Sequence, residues 1–128
     1  MIRLGLDIGK IKTGVARGVG ILAEPLVVIK ESNLAKLIQK ITDLTRREQA
    51  LEVVIGLPSG EMEKIIKQVA DKLKHQGIKV ILWDETLTTY DAQKLAIASG
   101  MARVRRKSME DAFAAAVMLQ SYLETHGD

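Results

Sequence analysis

An aspartate in the middle of an otherwise apolar first strand restricts this chain more than any other feature. Gly5-Leu6-Asp7-Ile8-Gly9 follows Ile2 and Leu4, and Ile2, Leu4, Leu6 and Ile8 share one face at the period of two that a strand imposes. That face belongs in a core. An ionised carboxylate on such a strand is costly unless a cation or hydrogen-bond donors compensate it. Glycines two residues before and two after Asp7 clear its side of the sheet for a ligand or another backbone. The pattern suits a metal or phosphate site, and the rest of the chain has to supply its partners.

Residues 2–8 read as a buried strand, 10–13 as a polar turn, 14–18 as a second strand and 25–30 as a third after a turn at Gly18-Val19-Gly20. Ser32 is placed to cap a helix in which Leu34, Leu37, Ile38, Ile41 and Leu44 keep helical spacing to about Glu48. Val53-Val54-Ile55-Gly56-Leu57, stopped by Pro58, reads as a buried strand. Met62, Ile65, Ile66, Val69, Ala70 and Leu73 make an amphipathic helix ended by Gly77, and 78–84 a fifth strand. Thr88 begins a helix to Gly100, with Asp91 in capping-box spacing; a basic loop, Arg103 to Lys107, precedes a last helix from Ser108 to about Thr125.

The order is βββαβαβαα, an α/β chain. Strands joined by short turns predict an antiparallel meander, and strands separated by helices add in parallel through right-handed crossovers. A five-stranded mixed sheet with helices on both faces follows, its first strand near the centre. No repeat, linker or low-complexity tract divides residues 1–128, so one domain is expected.

Ligands of such open sheets gather at the carboxyl ends of the parallel strands. Asp7 lies near that end of the first strand, Asp84 and Glu85 at that end of the last, and Asp111 in the first turn of the final helix. Three segments can therefore bring carboxylates to one place. Alternation puts Asp84 with Val80 and Leu82, and Glu85 with Ile81 and Trp83, leaving open which pair looks at Asp7. Asp111 has a competing role, because Ser108-Met-Glu-Asp111 is itself a capping box; Asp7 could instead accept backbone amides of the 10–13 turn.

The chain has no cysteine and two histidines, which removes disulfides and thiolate metal sites. His75 and His126 sit in polar surroundings and read as solvated. Oxygen donors suit hard cations such as Mg²⁺ or Mn²⁺, and two ions ~3.5–4 Å apart can clamp a phosphodiester during hydrolysis. The net charge of +3 permits a nucleic-acid partner. Aromatic residues are only 3%, too few for base-stacking platforms. Arg103, Arg105, Arg106 and Lys107 form the densest basic cluster, just before the helix carrying Asp111, and Lys10 and Lys12 add to the same field. No stretch has the ~18–20 apolar residues of a membrane span, and the amino terminus lacks a secretory pattern. A soluble cytoplasmic protein is the expectation.

Leu4-Gly-Leu-Asp-Ile-Gly9 with Gly14-Val-Ala16, Val54-Ile-Gly-Leu-Pro58, Asp84-Glu-Thr-Leu-Thr-Thr89, and Asp111-Ala-Phe-Ala-Ala115 with Leu119-Gln-Ser-Tyr-Leu123 resemble, in order, the motifs of the YqgF (RuvX) family. Its members are described as Holliday-junction resolvases and as nucleases that mature the end of precursor 16S ribosomal RNA. The resemblance implies an RNase H-like fold with sheet order 3-2-1-4-5, metal-dependent cleavage of structured RNA or branched DNA, and acidic residues at Asp7, Glu85 and Asp111. It thereby prefers Glu85 to Asp84 and lifts Asp111 above a mere cap. The chain departs from the family at Lys10-Ile-Lys-Thr13, where a Thr-Lys-Arg-like stretch is common, at Thr86, where arginine is usual, and in a shorter loop after Pro58. Lys12 keeps the charge but not the bidentate fork of an arginine.

Two rivals remain at this stage. Asp7-Ile-Gly9 followed by Gly14 also resembles the phosphate-binding hairpin of the actin, Hsp70 and sugar-kinase superfamily, but those proteins close two such domains around a nucleotide. An RNA-binding module that does not cut is the other; three carboxylates facing phosphates argue against it. Oligomeric state is not legible.

Overall fold

A computed structural model of the chain describes residues 1–85 and 108–126. The helix predicted over 88–100 and the basic loop 103–107 lie outside the described residues. Five strands, β1 (Ile2–Ile8), β2 (Lys12–Val19), β3 (Leu22–Lys30), β4 (Glu52–Leu57) and β5 (Val80–Asp84), form one sheet in the order β3-β2-β1-β4-β5. β1 is antiparallel to β2 and parallel to β4; β2 and β3 are antiparallel, β4 and β5 parallel. The meander, the parallel additions and the central first strand agree with the reading of the sequence.

Two layers of helix cover the sheet. Helices α1 (Leu34–Arg47) and α2 (Met62–His75) bury Leu37, Ile41, Leu44, Ile66, Val69 and Leu73 against Leu4, Leu6, Ile8, Val15, Val53 and Ile55. Helix α3 (Glu110–His126) packs on the opposite face through Ala115, Ala116, Leu119 and Leu123 against Ala16 and Val54. Leu6 and Val15, a cross-strand pair, face α1 and α2, whereas Gly5 and Ala16 face α3. Asp7, one residue beyond Leu6, is therefore on the α3 side.

Several boundaries differ from the expectations. β2 begins at Lys12 rather than Gly14 and β3 at Leu22 rather than Pro25, because backbone pairing continues beyond the apolar residues: Lys12 pairs with Lys30, and Val19 with Leu22. The cap of α1 is Asn33, not Ser32; its Oδ1 accepts the Lys36 N–H at 2.9 Å. β5 starts at Val80, two residues after Ile78, whose N–H closes the end of α2 on Leu73 O at 3.1 Å.

Candidate active site

Asp7 sits opposite Gly14 across β1 and β2. On its other side, Leu6 pairs with Ile55, so the next step of the ladder sets Gly56 beside Asp7; Gly56 in turn pairs with Trp83. One transverse row on the α3 face thus reads Gly14, Asp7, Gly56, Trp83, at the carboxyl end of β1, β4 and β5. The two glycines leave room for the other carboxylates. A Cβ on Gly56 would lie 2.6 Å from Glu85 Oε1 and 2.9 Å from its Cγ, so the Glu85 side chain folds back over Gly56 toward Asp7. A Cβ on Gly14 would collide with the Asp111 carbonyl oxygen, and would stand 2.8 Å from Ala112 N. The first turn of α3 therefore rests on the β2 backbone beside Asp7.

The choice between Asp84 and Glu85 is a matter of faces. Asp84 pairs with Leu57 and alternates with Leu82 and Val80, all directed toward α1 and α2. Glu85 follows on the face of Trp83 and Ile81, toward α3 and Asp7.

The Asp7 carboxyl is pushed up to about 7. Burial contributes most, followed by the charge of Glu85, a side-chain hydrogen bond shared with Glu85, and the charge of Asp111. Asp7 does not bond to the turn that follows it; there the Gly9 N–H donates to Lys12 O at 2.9 Å.

The three carboxylates converge, yet among the described residues no group of three acids or histidines is drawn into a closed ligand set. An all-oxygen donor set around a carboxyl raised by burial and by neighbouring acids is one that a hard divalent cation would relieve. The donor chemistry fits Mg²⁺ or Mn²⁺, with Asp7, Glu85 and Asp111 as the residues able to hold it.

The basic residues divide. Lys10 Nζ lies 2.9 Å from Glu61 Oε1, both side chains largely exposed, which ties the β1–β2 turn to the start of α2. Lys12 is exposed at the start of β2. Arg103, Arg105, Arg106 and Lys107 fall outside the described residues. His75 and His126 are both exposed, as expected; the His126 ring also stacks on Tyr122 with centroids 4.7 Å apart and meets Trp83 edge-on at 5.2 Å.

The glycines flanking Asp7 in sequence serve the fold rather than a ligand. A Cβ on Gly5 would lie 2.8 Å from Leu119 Cβ, and one on Gly9 2.8 Å from Lys12 O. The residues that clear the site, Gly14 and Gly56, are its neighbours across the sheet. For Gly56 the signal was present as a lone glycine within Val53-Val54-Ile55-Gly56, the mark of a close approach inside a strand.

The family profile described as "RuvX: Holliday junction resolvase" matches residues 1–125. A protein of Carboxydothermus hydrogenoformans named "Putative pre-16S rRNA nuclease" is 38% identical over 129 residues, covering 94% of each chain. A Clostridium tetani protein of the same name is 36% identical over 131 residues, covering 95% of each. Among solved structures, T. thermophilus RuvC in complex with a Holliday junction substrate superposes with a TM-score of 0.64 at 14% identity, over 98% of this chain and 96% of that one. The fowlpox virus Holliday junction resolvase gives 0.60 at 19%, over 98% and 99%. At such identities the likeness concerns the fold, which is RNase H-like.

Proposed function

This chain belongs to the RuvX family, and from that footing we propose that it is a divalent-metal-dependent endonuclease acting in 5′-end maturation of precursor 16S ribosomal RNA. The observation that carries the reading is Asp7, held near neutrality between Glu85 and Asp111 at the carboxyl end of the central strand. A structural carboxylate is stabilised by donors, whereas this one is raised first by burial and then by two other acids, an arrangement typical of functional sites. Relatives named for pre-16S rRNA favour RNA as the substrate.

Asp7, Glu85 and Asp111 would hold Mg²⁺ or Mn²⁺, and the ion's chemistry there would be stabilisation of phosphoryl charge and a lowered pKa of water. Asp7 has to give up its proton to do so. No protein nucleophile is required. Lys10, Lys12, Arg103, Arg105, Arg106 and Lys107 position the phosphate backbone. Lys10 exchanges Glu61 for a phosphate at little cost, since an exposed ion pair adds little. A module that binds without cutting would gain nothing from three acids turned toward phosphates. No helix among the described residues is long and apolar enough to cross a membrane, and the chain works as a single domain in the cytoplasm.

A second reading, resolution of branched DNA, is favoured by the family description and by the fold shared with junction resolvases. Mg²⁺-dependent cleavage of a labelled precursor 16S RNA end and of a four-way DNA junction, with Asp7→Asn as control, separates the two. Cleavage of the RNA that vanishes in the variant supports the proposal, and cleavage of the junction alone transfers it to DNA. RNA binding without cleavage of either would replace it with the binding module.

A further inference from the structure

On the side of β1 opposite Asp7, but at the same end of the sheet, a cavity of about 210 Å³ opens between the β1–β2 turn and the first turns of α1 and α2. Its floor is aliphatic: Ile8, Leu34, Leu37 and Met62, with Ile65 at the mouth. Ile65 is 38% exposed, an apolar side chain at an opening rather than in the core. Ser32 and Gln68, both exposed, supply polar groups in its lining. Glu31, in the lining, is paired with Lys40 at 2.9 Å, and Lys10, also in the lining, with Glu61 at 2.9 Å.

Ile8 and Gly9, one and two residues beyond Asp7, form part of the wall. The cavity is thus reached from the carboxylate row by passing around the carboxyl end of β1. Its volume is below the roughly 300–1,000 Å³ of drug-sized pockets and suits one planar ring system rather than a whole nucleotide. We propose that this cavity receives one unpaired nucleobase of the substrate strand, next to the phosphate that is cut. The base is gripped between aliphatic side chains with Ser32 and Gln68 at its polar edge, while its phosphate remains on the lysine-bearing turn. The site thereby demands that the nucleotide beside the cut be unpaired, and selects single-stranded ends or splayed junction strands over continuous duplex. The inference rests on the nuclease reading and adds to it the local form of the substrate.

The native chain first maps the cut on the precursor 16S RNA end, or on the four-way junction if that is what it cleaves. Binding of the same strand to the Asp7→Asn chain is then measured with single abasic residues placed in turn at the positions flanking the cut. One adjacent position should weaken binding about fivefold or more, as expected for losing part of one ring's burial against aliphatic side chains. Ile65→Glu and, independently, Gln68→Trp, both at exposed sites and checked by thermal melting, should bring intact strand down to the abasic level and flatten the scan. A flat scan on a strand that the native chain cuts, or a scan unchanged in both variants, overturns the inference and leaves the nuclease reading standing. Absence of cleavage of either substrate overturns both.

Discussion

Between the ordinary carboxylate value of 3.8 and about 7, the folded chain keeps a proton on Asp7 that the unfolded chain has released. Stability therefore falls as pH rises through that window. At about 1.4 kcal/mol per pH unit the ceiling is ~4 kcal/mol, and the partial exposure of Asp7 reduces it to about 1–2 kcal/mol. Asp7→Asn should accordingly raise the metal-free melting temperature at pH 7.5 by roughly 3–8 °C, leave it unchanged at pH 4, and abolish turnover; melts in EDTA at both pH values check this, and equal behaviour at the two would remove the repulsion. The two glycines of the row should respond differently to alanine. At Gly14 the new Cβ meets helix backbone, which cannot yield; overpacking costs about 1–3 kcal/mol or more, and Asp111 moves with the helix. At Gly56 it meets the Glu85 side chain, so urea titration should show a smaller stability loss while turnover still falls. At this scale Asp7 was legible in the sequence because a charge stands in the middle of a strand that reads as buried. Glu85 was preferred to Asp84 through the family motif, and the face that β5 turns toward α3 sets the Glu85 side chain over Gly56.

Helix α3 is apolar nearly all round, and it lies on the sheet over small residues, Gly5, Ala16 and Gly18. Its carboxyl half is tied down at the end of the sheet away from Asp7. The buried Glu52 Oε1 sits 2.6 Å from Arg3 Nε and accepts the Tyr122 hydroxyl at 3.4 Å, while Lys79 reaches Oε2 at 3.3 Å. Burial alone would raise Glu52, but the hydrogen bonds and charges of Arg3 and Lys79 outweigh it and hold the carboxyl below its ordinary value. This contribution is present above the unfolded value and is lost as pH falls through the folded one. Removing one partner of a buried pair costs about 3–5 kcal/mol, so Glu52→Ala should lower the urea midpoint sharply, and Arg3→Met with Glu52→Leu should recover much of it. A double variant as unstable as the single one would contradict this account. The helices themselves were legible from their apolar spacing. Their caps and the strand ends were less so, because Ser32 and Asn33 are equally good caps, and because β2 and β3 pair through backbone groups that side-chain pattern does not register.

One sheet with helices on both faces, built on a central strand, predicts a single cooperative unit. The chain has one tryptophan, Trp83, packed edge-on at 5.4 Å from Tyr122, so its fluorescence reports the contact of β5 with α3. Fluorescence and far-ultraviolet circular dichroism should give coincident urea transitions; two separated midpoints would divide the chain into independently stable parts. The amino-acid sequence by itself indicated which of the described segments are strands and helices and the parallel or antiparallel sense of their joining, and, through family motifs, it proposed Asp7, Glu85 and Asp111 as the acids of an oxygen-only site. Those follow from local periodicity and from residue type. Tertiary structure alone decided that Gly14 and Gly56 flank Asp7, that the Glu85 side chain folds over Gly56, and that an aliphatic cavity opens at the same end of the sheet. These depend on register across strands and on how closely α3 settles on the sheet, and both are set by packing between residues far apart in the chain.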